Sequence, residues 1–306
     1  MTRQRPQRIL RLTLGVFWVI AGLLQAQPDM FTTDFYANYP PKIMESLLQS
    51  VADGQPDWLA NAVHFGMAVW AHHPILYNVG AILIQVGIGV VLIFGPSKRW
   101  QRTGLWVSII WGTLVWVFGE GMGGLFTGST FFDGWPGAVL LYVLGAAMLL
   151  APDRLWQGNQ MQRILRWSLV VFWLVMAVIQ ALPSSGFWQS GGLMSQFANA
   201  GSLPQPEFLA IPIQSFSLIT LHQPVLWNAV FVGIMILLSL GYMIVPRRRW
   251  LMIVALLWLF WSWWFGQDFG AIFSGMGTDV NSLPLLMLYT VVYWTLARPL
   301  NNKPEA

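Results

Sequence analysis

Glu120 lies inside the segment GEGMGGLFTG, residues 119–128, directly after 14 residues, Leu105 to Phe118, that carry no charge. A carboxylate in that place is at a water interface, neutral, or held by a partner, because an ionisable group beside an apolar run is costly and marks a functional site by default. Imidazoles and amides stand at comparable places along the chain. Gln25 and Gln180 end apolar runs; His72 and His222 precede two others, with His73 beside the first; Asn78 and Asn228 follow about one turn in; Gln267 and Asp268 come just after the run that ends at Phe265. A carboxylate whose pKa is lifted by desolvation takes up a proton, and a nearby imidazole relays it. Amides hold a bound group by donating and accepting hydrogen bonds. The catalytic candidates are therefore Glu120, His72 and His73, and the substrate-binding candidates are Gln25, Asn78, Gln180, His222, Asn228, Gln267 and Asp268.

Each candidate also has a purely structural reading. A histidine before proline caps a helix, asparagines tie helices together in membranes, and glycines around a carboxylate serve turns and close packing. Adjacent side chains diverge by about 100° on a helix, so His72 and His73 make a weak metal pair and no metal is assigned.

Composition determines what must position these groups. Hydrophobic residues make up 56% of the 306, with 19 Trp and 19 Phe and a mean hydropathy of +0.57. That leaves too little polar surface for a soluble globule and points to an all-α, polytopic membrane protein. The absence of cysteine excludes disulfides, thiolate metal sites and cysteine nucleophiles. Apolar runs near 12–27, 75–95, 103–120, 136–151, 164–182, 224–245, 250–266 and 282–297 predict eight transmembrane helices, several of them close to the lower limit of about 17 residues.

Alternating the connections between the two sides places 15 of the 16 basic residues on one face, with only Lys42 on the other. By the positive-inside rule both termini are cytoplasmic, in a multi-pass protein of a prokaryotic inner membrane whose surroundings are the lipid bilayer. The basic residues are spread over five short segments and form no groove-like cluster, which excludes nucleic acid as a partner. The basic start and the apolar run Leu12–Leu24 have the form of a secretory leader. A copy of that segment inside the chain argues that it is retained as the first span.

That copy belongs to a long repeat. RILRLTLGVFWVIAGLLQAQP at 8–28 returns as RILRWSLVVFWLVMAVIQALP at 163–183, HHPILYN at 72–78 as HQPVLWN at 222–228, PSKRW at 96–100 as PRRRW at 246–250, and GEGMGGLFTG as GQDFGAIFSG at 266–275. The offset stays between 147 and 155 residues, which predicts two four-span repeats, 1–153 and 154–306. An even number of spans gives both the same orientation, a parallel repeat about an axis along the membrane normal.

The long connections 28–74 and 183–224 are expected to hold extracytoplasmic amphipathic helices. In the first, Ile43, Met44, Leu47, Leu48 and Val51 share one helical face. Such helices lie on the outer leaflet or fold over the bundle as a lid. The matched polar residues then predict one Gln/His/Asn/Glu-or-Gln site per repeat. The repeats are unequal: Glu120 becomes Gln267, Gly121 becomes Asp268, His73 becomes Gln223 and His64 becomes Gln214. The first repeat is thus the better candidate for a single reactive site, and Asp268, displaced by one residue, is expected to face other partners.

The opening RILRLTLGVFWVIAGLL, on the first of four spans, resembles the DoxX-like superfamily of four-span membrane proteins, including the DoxD-type subunit of thiosulfate:quinone oxidoreductases. This chain departs from that layout in its tandem duplication and its long outer connections. The resemblance implies an integral membrane component of a redox system working with partner subunits, in which a quinone enters between helices and His72 or His73 with Glu120 handles its protons. A second class stays open: a transporter of a small solute, proton or metal ion, or a channel-like protein, with Glu120 and Asp268 at the mouth of a pathway on the pseudo-twofold axis. A bound metal ion is compatible with either class.

Overall fold

The computed structural model describes residues 5–32 and 43–297; Lys42 and the termini lie outside the described residues. Among these, every regular element is helical and there is no strand. Eight long or apolar helices stand where the apolar runs predict them: α1 (Arg5–Gln25), α4 (Pro74–Phe94), α5 (Lys98–Phe118), α6 (Ala138–Leu150), α8 (Gln160–Ala181), α11 (Pro224–Ile244), α12 (Arg249–Phe265) and α13 (Ser282–Ala297). Between them lie α2 (Ile43–Ala52), α3 (Asp57–His72), the short α7 (Asp153–Gln157), α9 (Ser190–Ser202) and α10 (Glu207–His222).

The termini of these helices follow from local chemistry. Pro74 and Pro224 open α4 and α11 in the first turn, where a missing N–H costs nothing. Gly95, Gly119 and Gly266 follow the last turns of α4, α5 and α12. Four helices, α1, α4, α8 and α11, are long and apolar enough to cross a bilayer, at 21 or 22 residues each. The chain is accordingly a membrane protein. α5 is as long but opens on Lys98, Arg99 and Arg102, while α6, α12 and α13 run to 13, 17 and 16 residues.

α1 packs along α4, α8 along α11, α5 along α6 and α12 along α13. α13 stands between the two halves of the chain, against α1, α6 and α8. Its buried residues lie on all sides rather than along a stripe, as an enclosed helix requires. The Tyr289 hydroxyl donates to the Leu141 carbonyl on α6, bonding the halves directly. A second device recurs in both halves. Arg11 donates to the Leu92 carbonyl at the end of α4, and Arg166 Nε donates to the Tyr242 carbonyl at 2.9 Å near the end of α11. These bonds satisfy carbonyls that the last helical turn leaves without a partner. α2 pairs with α3, and its Met44, Leu47, Leu48 and Val51 turn toward the interior of the first half.

Candidate functional site

α2 and α3 cover a cavity of about 810 Å³ in the first half, walled by α1, α4, α5 and α6. Its lining is mainly apolar and aromatic, with Trp18, Trp70 and Trp111 among its walls, and its polar groups include Glu120, Gln25, Gln85 and Asp279.

Glu120 is placed by the turn that follows α5. The 3-10 turn Gly121–Gly124 has left-handed backbone at every residue, with φ of 51°, 56°, 65° and 69°. Gly123 in addition lies against the Pro136 carbonyl, where an added Cβ would come within 2.0 Å of the oxygen. Only glycine permits that approach. Trp116 Nε1 donates to the same carbonyl at 3.0 Å and fixes the loop. The turn brings the Glu120 carboxylate to the start of α6, where Val139 N donates to Oε2 at 3.3 Å. Those donors favour the anion. Burial opposes them, the nearby Asp279 adds to it, and the two together push the Glu120 carboxyl up to about 8.

Asp279 comes from the other half of the chain, in the connection between α12 and α13. Asn281 N donates to its Oδ1 at 2.7 Å, while Gln27 Nε2 reaches the Gly277 carbonyl at 3.4 Å and ties the connection to the first half. Burial pushes Asp279 up to about 6. One cavity thus holds two carboxylates, one from each half of the chain. The Tyr142 hydroxyl lies within electrostatic range of both, is 1% exposed and has no hydrogen-bond partner. Trp70 Nε1, Trp111 Nε1 and Gln85 Oε1, all on cavity-lining side chains, are likewise unpartnered.

The amides expected to bind substrate bond to one another instead. Gln25 Nε2 donates to Asn78 Oδ1, and Asn78 Nδ2 to the Gln25 carbonyl at 3.2 Å. The second half repeats the clamp, with Gln180 Nε2 to Asn228 Oδ1 at 2.8 Å and Asn228 Nδ2 to the Gln180 carbonyl at 3.4 Å. Asn78 and Asn228 are fully enclosed, so their chemistry is helix-to-helix bonding; Gln25 alone of the four lines the cavity.

The histidines are not brought to Glu120. His72 and His73 are exposed at the junction of α3 and α4, with ring centroids 5.8 Å apart, and neither lines the cavity. His222 is exposed at the matching junction of α10 and α11. The expected imidazole–carboxylate relay is therefore not assembled. The spacing put these residues level with Glu120 along the helices, but the bend at His73 (φ −144°, ψ 67°) leaves them on the outer face. His64 bonds α3 to α2 through Gln49 Oε1 at 3.1 Å.

In the second half, Gln267 Nε2 donates to Ser282 Oγ at 3.0 Å, at the start of α13. Asp268 is fully buried with neither oxygen hydrogen-bonded, and burial pushes it up to about 7. It occupies with φ 44° the left-handed position that Gly121 fills in the first half, a conformation aspartate tolerates better than most residues.

The space corresponding to the cavity is filled in the second half. Phe131 and Phe132, from the connection between α5 and α6, cross into it and are each 1% exposed. Phe131 stacks on Trp258 at 6.0 Å, and Phe132 meets Phe197 and Phe231 edge-on at 5.4 and 5.3 Å. Gly266 makes room, since a Cβ there would fall 2.6 Å from the Phe132 ring. The matched segments show why one side is open: Gly66, Ala81 and Leu114 on the cavity wall correspond to Phe216, Phe231 and Trp261 in the ring cluster.

Asp279 and Tyr142 escaped the sequence reading. The 147-residue offset pairs Glu120 with Gln267 but changes before the next helix: Trp116 and Trp263 donate to the carbonyls of Pro136 and Val280, 144 residues apart, which places Asp279 opposite Trp135. Among the described residues no three of His, Asp and Glu gather as a metal site would require. Compared with protein-family models, curated proteins and solved structures, the chain matches none.

Proposed function

We propose that the protein is a multi-pass membrane component of a redox system, organised as two parallel four-span repeats, 1–153 and 154–306, whose first repeat takes a lipid-soluble quinone-type molecule head-first toward Glu120. The observation that carries this reading is a protonatable carboxylate in a large apolar cavity whose lining includes the exposed Phe65, Leu76 and Leu114, side chains suited to entry from lipid. The lining fits such a ring: the tryptophans offer flat apolar walls, the unpaired Tyr142 hydroxyl and Trp111 N–H suit carbonyl oxygens, and the carboxylates suit hydroxyls.

A quinone, when bound, carries two electrons and two protons. The chain's own groups manage the proton. Burial, with Asp279 as the smaller cause, raises Glu120 to about 8, and burial raises Asp279 to about 6, so both carboxyls hold a proton more tightly than free ones do. Glu120 in its neutral form donates a hydrogen bond, and in its charged form accepts a hydroxyl proton. Gln25, clamped by Asn78, holds a fixed amide on the cavity wall. Partner subunits, implied by the DoxX-like resemblance, would exchange the electrons.

One observation favours a transport reading as the second choice: the carboxylates come from opposite halves, as in a pathway for a proton or an amphipathic cation between repeats. The two separate in quinone-depleted nanodiscs. A short-chain benzoquinone should quench the fluorescence of Trp18, Trp70 and Trp111 saturably, and Glu120→Gln should weaken binding about tenfold, the worth of one buried hydrogen bond. Unsaturable quenching that is the same in both proteins defeats the quinone reading. Thermal protection by an amphipathic amine under those conditions would favour transport.

A further inference from the structure

At the opposite end of the bundle from Glu120, three arginines of the second half converge. Arg163 and Arg166 at the start of α8, and Arg247 between α11 and α12, line a pocket of about 560 Å³ together with Asn159, Gln162 and Pro246. Two of these groups are held in place. Arg166 uses Nε on the Tyr242 carbonyl at 2.9 Å and Nη2 on the Met243 carbonyl, and Tyr293 OH donates to the Pro246 carbonyl at 2.8 Å, which anchors the residue before Arg247. A guanidinium has five N–H donors, so Arg166 retains several, and among the described residues Arg163 and Arg247 spend none of their side-chain donors. Among the described residues no carboxylate pairs with any of the three.

Three cations around one pocket, one of them fixed by carbonyls, with neutral amides beside them and no counter-ion among the described residues, are an anion site. Guanidinium forks match the paired oxygens of a phosphate. Around the pocket, Ile164, Trp167, Met243 and Ile244 are exposed apolar side chains of α8 and α11, the surfaces that meet acyl chains. The first half lacks the full set: Ser97 stands where the second half has Arg247. The geometry points to a binding site for a phosphate group at Arg163, Arg166 and Arg247, of the kind carried by the headgroup of an anionic phospholipid or by free phosphate.

The site is testable with the purified full chain. Arg163→Gln/Arg247→Gln removes two exposed cations that make no hydrogen bond in the fold, and Arg99→Gln/Arg102→Gln removes the same charge elsewhere, on α5. Each protein is exchanged into detergent with phosphatidylglycerol or phosphatidylcholine and read by native mass spectrometry, with and without millimolar inorganic phosphate. Wild type and the α5 variant should retain phosphatidylglycerol over phosphatidylcholine, and the Arg163/Arg247 variant should lose on the order of tenfold in retention. Retention that inorganic phosphate competes away, or phosphate binding without lipid preference, assigns the site to free phosphate, provided the Arg163/Arg247 variant loses it. Equal losses in both variants would reduce the effect to overall charge and overturn the site, as would the absence of both lipid and phosphate binding in the wild type.

Discussion

Phe132 and Asp279 stand on two loops that each cross into the opposite half of the chain, and they do opposite things there. Phe132 closes the second half by packing against Phe197 and Phe231, whereas Asp279 enters the first half and leaves it open, with a second carboxylate near Glu120. The exchange makes both residues direct probes of the site.

Asp279→Phe should place a ring in the first-half cavity, as Phe131 and Phe132 place rings in the second half. The expected outcome is loss of quinone quenching with thermal stability kept or raised, since the removed carboxylate is buried. Undiminished binding would show that the loop lies outside the site.

Phe132→Ala should empty part of the ring cluster. Truncating a buried phenylalanine costs about 3–5 kcal/mol, so the variant should melt well below wild type in the same detergent, and the cavity it leaves should take small apolar probes such as benzene. A melting point within error of wild type would mean that the cluster collapses around the vacancy.

The pH dependence has a definite sign. Burial raises Glu120 to about 8, Asp268 to about 7 and Asp279 to about 6, so the folded chain binds these protons more tightly than the unfolded chain, whose carboxyls titrate near pH 4. Their contribution is complete below the unfolded values and is lost as pH rises through 6, 7 and 8. The melting temperature should therefore fall from about pH 5 to about pH 9. Glu120→Gln should keep its fold, as Gln267 shows that glutamine suits the matching backbone, and should lose less stability above neutrality than wild type. Equal slopes would place the titration elsewhere.

Two glycine substitutions separate close approach from backbone strain. Gly123→Ala, whose Cβ would meet the Pro136 oxygen, should abolish folding or the Glu120 turn. Gly128→Ala has φ 77° but open space around it and should cost only about 1–2 kcal/mol. Expression and thermal unfolding distinguish them, and equal behaviour would contradict the tight turn.

Topology is accessible because the chain has no cysteine of its own. The asymmetry of basic residues predicts that a cysteine at the exposed Ser184 reacts with an impermeant maleimide from outside, and that a reporter after Ala306 is cytoplasmic. Labelling of Ser184 only after permeabilisation would reverse the orientation.

Helix positions were legible in the sequence because they depend on local periodicity, and the matched spacing picked out Gln25, Asn78, Gln180 and Asn228 but not that each Gln bonds its Asn instead of facing a ligand. The carboxylate between glycines was legible for the same reason. His72 and His73 were misplaced because spacing yields depth along a helix, whereas their outward direction comes from a bend between α3 and α4. Asp279 was invisible to any pairing within one half, since Glu120 is 159 residues away and the two share a cavity only once α13 docks between the halves.

The crossed loops bear on why such a protein is a single chain. Were the two halves identical copies associating as a symmetric dimer, one loop sequence would have to serve both crossings, and either two phenylalanines would close both chambers or two aspartates would charge both. Joined in one polypeptide, each crossing mutates independently. In this chain the two crossings have come apart: one chamber is packed with rings, and the other keeps its cavity.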